Sequence, residues 1–198
     1  MQGGVVWTGD AIKQIHWKAT AREQKLKTRN RIGEEKRGIT IFLDTRRESE
    51  EPYKYLPLEN QMLEVVLALG MFFAEHQMPY SMYWQQNDIR ESHVQGIEHF
   101  GALYQQMAKV LFDKDNNSLE LMETLAAQGI IADTKIVIGV VHEIDDKMLE
   151  QTEALAAQGV MVVLYFVTEK DAESLLRQSS ERRRIVVVPI EAELEGLI

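Results

Sequence analysis

Two short charged runs hold the side chains best suited to chemistry: Asp44-Thr-Arg46-Arg-Glu48 and His142-Glu143-Ile-Asp145-Asp146. Histidine beside carboxylates is the usual make-up of a general acid–base pair. Clustered carboxylates can also hold a hard cation such as Mg²⁺. Each run follows an apolar stretch, Ile39–Leu43 or Lys135–Val141, so each is expected at the carboxyl end of a strand. Ligands of open α/β sheets bind at that end. Gln86, Asn87, Thr168 and Glu169 are expected on the same rim. Against an enzyme, no activated nucleophile sits near His142 in sequence. His93 and His99 are six apart, and there is neither a His-Glu-x-x-His pattern nor a phosphate-cradling glycine loop. The favoured assignment is therefore structural: Asp145 caps the next helix, while His142 and Glu143 lie in a solvated loop. A divalent-metal-dependent hydrolase using Asp44, Glu48, His142, Glu143 and Asp145 is the alternative.

These runs must be positioned by strands and helices that alternate along the chain. Strands are expected at Ile39–Asp44, Tyr80–Gln86, Lys135–Val141, Val160–Val167 and Arg184–Pro189. Helices are expected at about 58–76, following a loop with Pro52 and Pro57, then at 96–112, 118–128, 145–158 and 169–178. Largely apolar strands alternating with helices predict a doubly wound, mainly parallel α/β sheet. The run Leu-Ala-Ala-Gln-Gly occurs at 125–129 and again at 155–159, each reading as a helix end with glycine just beyond it.

Charge is unevenly spread. Residues 11–38 carry nine Lys/Arg against three Glu, a balance of +6, and the remainder carries thirteen against twenty-eight, a balance of −15. Lys25, Lys27, Arg29 and Arg31 alternate with other residues at period two, which predicts a strand with one basic face. A turn at Glu34–Gly38 would add it as an antiparallel edge beside Ile39–Asp44. Such a face is often a solvated edge that discourages strand pairing. Its functional alternatives are an acidic protein partner or anionic lipid. Nucleic acid is disfavoured, because the body is acidic and aromatics do not interleave with the basic face. The chain has no cysteine, so it has neither disulfides nor a thiolate metal site. No signal peptide and no apolar run near ~18 residues is evident in the sequence.

The segment from Trp7 to Arg22 is dense in rare types. Gly9-Asp10 suits a turn and helix start, Ile12, Ile15 and Ala19 share one helical face, and Lys18 and Arg22 share another. Trp17 reads as an anchor packing this helix on the sheet. Gly9, Asp10, Lys13, Ile15, Trp17, Lys18, Ala21, Arg22 and Leu26, with His16 among them, resemble the signature of a bacterial family called domain of unknown function 58. Lys13 stands where the pattern usually has arginine.

The resemblance implies a von Willebrand factor A-like C-terminal domain encoded beside a MoxR-type AAA+ ATPase. It implies a membrane-anchored full-length protein, with this chain as a soluble portion in the cytoplasm. The expected organisation is a signature segment and basic edge strand (1–38) packed on an α/β domain (39–198). A von Willebrand A rim would carry Asp-x-Ser-x-Ser around a divalent metal. Here Asp44 is retained and the serines become Arg46 and Glu48, so the metal site is expected to be lost, with an Asp44–Arg46 or Asp44–Lys contact in its place. The expected function is a non-enzymatic adaptor domain without cofactor, partnered by the ATPase and by an anionic membrane surface. A purely structural module is the third reading.

Overall fold

The computed structural model describes residues 38–131, 133–169 and 173–190, together with strand backbone at Gly4–Val5 and Lys27–Thr28. The chain divides into two compact units, Met1–Glu35 and Lys36–Ile198. In the first, β1 (Gly4–Val5) pairs antiparallel with β2 (Lys27–Thr28), Val5 opposite Lys27. Gly9, Asp10, Lys13, His16, Trp17, Lys18, Arg22, Lys25, Arg29 and Arg31 lie outside the described residues.

The second unit is built on a six-stranded sheet. Its strands are β3 (Ile39–Leu43), β4 (Tyr80–Gln86), β5 (Asp88–Val94), β6 (Ile136–Val141), β7 (Met161–Thr168) and β8 (Arg183–Pro189), in the order β5-β4-β3-β6-β7-β8. All neighbours run parallel except β4 and β5. The antiparallel edge expected from the basic strand is thus supplied by β5 instead. Ile39–Leu43 is buried at every position and has β4 and β6 on its two sides, so no edge remains there for Lys25–Ile32. The reversal into β5 turns on Asn87, whose φ of 62° lies in the left-handed region that asparagine tolerates.

Helices cover both faces. α1 (Pro52–Glu75) and α2 (Ile97–Met107) pack on one, where Leu58, Met62, Val66, Leu69 and Phe73 meet Ile41, Leu43, Ile138 and Val140. α3 (Ser118–Ala127) and α4 (Asp146–Ala157) pack on the other, with Leu121, Leu125, Met148 and Leu155 against Phe42, Val137 and Leu164. A short α5 (Glu173–Leu176) precedes β8. α1 starts earlier than the sequence suggested. Pro52 occupies a first-turn position, where a fixed φ and a missing N–H cost nothing, and Pro57 is carried inside the helix. By length and composition α1 is long and apolar enough to cross a membrane, but it is half buried in this core.

Both Leu-Ala-Ala-Gln-Gly runs end helices as expected. Gly129 and Gly159 take φ of 77° and 86°. The amide beyond each glycine donates back to the leucine carbonyl, Ile130 to Leu125 at 3.0 Å and Val160 to Leu155 at 3.1 Å.

One core hydroxyl lacks a partner. Tyr80 Oη is buried without a hydrogen bond, and burial pushes its phenol pKa up. An unsatisfied buried polar group costs about 1–3 kcal/mol, so Tyr80→Phe is expected to raise stability by about 1 kcal/mol, read as a higher urea midpoint at unchanged slope.

Candidate functional site

The rim at the carboxyl ends of β3, β4 and β6 is assembled from three segments. Asp44 leaves β3 with its amide still donating to Val140 O (2.9 Å), which fixes its side chain beside the end of β6. Asp44 is 1% exposed. Its Oδ1 accepts the Arg46 amide at 3.0 Å, closing a tight turn over the carboxylate. Its Oδ2 lies 3.0 Å from His142 Nδ1. The approach is off the line of a good hydrogen bond, and neither ring nitrogen of His142 makes one. The contact is thus a close approach of two enclosed side chains, carboxylate to imidazole.

His142 was expected in a solvated loop and is instead buried, its side chain 2% exposed. The last residues of β6 are entirely buried, and His142, which follows them directly, is buried with them. Glu143 does lie at the surface, where it pairs with the Arg46 guanidinium. The expected Asp44–Arg46 charge contact is therefore corrected. The arginine reaches across to Glu143, and Asp44 faces His142. Asp145 takes its expected place, its Oδ1 accepting from Met148 N–H at 2.7 Å as the cap of α4. Glu48 is exposed nearby, Gln86 ends β4, Thr168 is buried at the end of β7 and Glu169 is exposed after it.

Thr45 was expected on this rim, but its partners Gln85, Asn116 and Asn117 were not singled out from the sequence. Asn116 comes from the connection between α2 and α3, and its Nδ2 donates to Thr45 O (3.1 Å) and Thr45 Oγ1 (3.0 Å). Thr45 Oγ1 in turn donates to Gln85 O at 2.6 Å, and Gln85 Oε1 accepts the Asn117 amide at 2.9 Å. The polar run Asp113-Lys-Asp-Asn-Asn117 was the available signal, since such residues favour turns and side-chain-to-backbone bonding. A shallow recess of 180 Å³ lies among Arg46, Asn117, Glu143 and Asp145.

Adjacent arginines hold different posts. Arg47 forks onto Glu59 of α1, Nε to Oε1 at 2.8 Å and Nη2 to Oε2 at 3.3 Å, and stacks 4.1 Å over the Tyr55 ring. Glu59 is buried, whereas Arg46 and Glu143 are 37% and 55% exposed. An exposed pair contributes ~0–1 kcal/mol, so Arg46→Ala is expected to change stability by less than about 1 kcal/mol. Arg47→Ala strands the buried Glu59 carboxylate and is expected to cost about 2–3 kcal/mol by chemical denaturation.

The donors do not fit a hard dication. One Asp44 oxygen is held by the Arg46 amide and the other faces an imidazole. The next position of the turn is a guanidinium, a permanent cation. Among the described residues no group of three His, Asp or Glu side chains is placed to hold a metal. Nor do the hydrolase residues converge: Asp145 caps a helix, Glu143 is taken by Arg46, and His142 is enclosed against Asp44.

No family model and no curated protein matches the chain. Its fold, however, matches solved structures. The SpRpn10 VWA domain aligns with a TM-score of 0.52 and 10% identity over 80% of this chain and 90% of that one. Proximal thread matrix protein 1 from the mussel byssus aligns at 0.54 and 10% identity over 77% of this chain and 43% of that one. A von Willebrand factor type A structure from Catenulispora acidiphila aligns at 0.51 and 7% identity, over 77% and 38%. The chain thus spans less than half of the mussel and Catenulispora proteins. At these identities the likeness is one of fold: a von Willebrand A-like α/β domain.

Proposed function

We propose that this chain is a non-enzymatic interaction domain whose rim recognises protein rather than metal or substrate. The observation that carries the reading is the self-contained bonding of the rim. Asp44 accepts the Arg46 amide, the Arg46 guanidinium pairs with Glu143, and Thr45, Gln85, Asn116 and Asn117 bond to one another. Such a surface is fixed in shape, as recognition requires, but holds no activated nucleophile. The signature resemblance at Gly9–Leu26 supports a place in the domain of unknown function 58 family. By that resemblance the partner is a MoxR-type AAA+ ATPase, and the whole protein is membrane-anchored. The ATPase would supply nucleotide hydrolysis while this domain presents clients for assembly or maturation of envelope components. The basic residues Lys25, Lys27, Arg29 and Arg31 suit an acidic surface of the ATPase or an anionic membrane.

The test is surface binding of purified ATPase, and separately of anionic vesicles, to the immobilised chain at two salt concentrations. Wild type is expected to bind at least one of them, more weakly at high salt, with association slowed by Lys27→Glu/Arg29→Glu. Absence of binding to both, at either salt concentration, would remove this reading.

A further inference from the structure

α2 is apolar on two sides. Leu103 and Met107 turn inward and are buried, and Phe100 is partly so. A second stripe, Ile97, Gly101, Tyr104 and the C-cap Ala108, recurs at the i, i+4, i+7, i+11 spacing of one helical face and is exposed. Ile97 and Tyr104 are 50% and 55% exposed. A surface helix ordinarily sets polar residues at such positions. Gly101 is the sharper anomaly. Glycine in a helix interior gives up more backbone freedom on folding than any other residue, so a close packing partner is its usual reason. Yet a Cβ added at Gly101 would meet nothing within 4 Å, so no contact inside the chain calls for its smallness. The stripe thus alternates two large side chains with two shallow hollows.

We propose that this face of α2 pairs with the same face of a second copy of the chain, the two helices antiparallel about a two-fold axis. In one register Tyr104 of each helix lies over Gly101 of the other, and that same register sets Ile97 over Ala108. Large meets small at all four positions. Parallel helices would instead set Tyr104 against Tyr104 and leave Gly101 facing Gly101. Charge favours the antiparallel sense as well. Glu98 and Lys109 lie on one flank of the stripe at opposite ends of α2, so each Glu98 approaches Lys109 of the other copy. Lys109 has no carboxylate partner among the described residues, and Glu98 has His99, Nδ1 to Oε1 at 3.2 Å. The size match is therefore the stronger of the two signals. One helix face per copy is at the small end of protein interfaces, so the expected dissociation constant is roughly 10⁻⁵–10⁻³ M. The pairing uses no rim residue and stands independently of the ATPase and membrane assignments.

Sedimentation velocity of the purified chain across the micromolar-to-millimolar range reads the association, with amide shifts of isotope-labelled protein to locate it. Wild type is expected to pass from monomer to dimer, with shifts at Ile97, Gly101, Tyr104 and Ala108. Gly101→Gln fills the hollow with a better helix former in open space. It is expected to keep or raise the thermal midpoint while weakening the dimer about tenfold or more. Lys109→Glu is expected to weaken it about threefold, and Glu98→Lys/Lys109→Glu to recover that loss. The chain has no cysteine, so crosslinking is specific. Ile97→Cys/Ala108→Cys is expected to join two chains through a short bis-maleimide, and Ile97→Cys alone is not. A chain still monomeric at millimolar concentration, a dimer unaffected by Gly101→Gln, or equal crosslinking of the single and double cysteine variants would each overturn the proposal. So would a monomer whose α2 amides shift only on adding the ATPase, which would give this face to that partner.

Discussion

Asp44→Ala is expected to lower folding stability by about 1–3 kcal/mol, the usual cost of leaving a buried donor without its acceptor. Asp44 is 1% exposed and its carboxylate has two duties, facing His142 Nδ1 at 3.0 Å and accepting the Arg46 amide at 3.0 Å. Truncation leaves the enclosed imidazole facing a void and frees a turn amide. Asp44→Asn keeps an oxygen for that amide and is expected to cost less. His142→Gln should be damaging alone, yet the double variant Asp44→Asn/His142→Gln should lose less than the sum of the two. Guanidinium denaturation of all four proteins provides the cycle. Strict additivity would mean that the two side chains are neighbours without coupling.

Gly139→Ala is expected to be comparably harmful, for a purely steric reason. Gly139 sits at the centre of β6, in register with Phe42 of β3 on one side and Leu164 of β7 on the other. An added Cβ would lie 2.4 Å from Phe42 Cζ and 2.9 Å from Leu164 Cδ2. Both neighbours are fully buried, so neither ring nor methyl can swing into solvent. Overpacking of such a core typically costs about 1–3 kcal/mol, and the upper end is expected where two strands crowd one atom. Phe42→Leu vacates the ring that fills the space over Gly139. It is therefore expected to be destabilising alone but to recover part of the loss in the Gly139→Ala background. Thermal midpoints of the single and double variants test this. Identical losses from Gly139→Ala in both backgrounds would show that Phe42 is not the obstacle.

The sequence disclosed most of this sheet because its parallel strands are nearly continuous apolar runs, and α3 and α4 begin at side-chain caps, Asn117 and Asp145. Asp145 and the two glycines after Gln128 and Gln158 were readable from local chemistry alone. β5 was not, since Asp-Ile-Arg-Glu-Ser-His-Val at 88–94 is polar on both faces, as an exposed edge strand can be. The early start of α1 was hidden by Pro52 and Pro57, which read as a loop until one is placed in a first turn. The rim was legible as a set of positions but not as a set of contacts. Nothing in the letters His142-Glu143 says that the first turns inward and the second outward. Asn116 reaches Thr45 across 71 positions of chain, a pairing set by the return of the chain from α2 and not by any local pattern.

The rim carboxylates are partnered from within the chain, Asp44 by the Arg46 amide and Glu143 by the Arg46 guanidinium, so the recognition proposed there needs no metal. Calorimetric titration of Mg²⁺ and Mn²⁺ into chelator-treated protein tests it most directly, with Asp44→Asn as the companion. The account predicts heats of dilution only, the same for both proteins, and unchanged thermal midpoints with either ion. A dissociation constant in the low micromolar range for wild type, lost in Asp44→Asn, would contradict it.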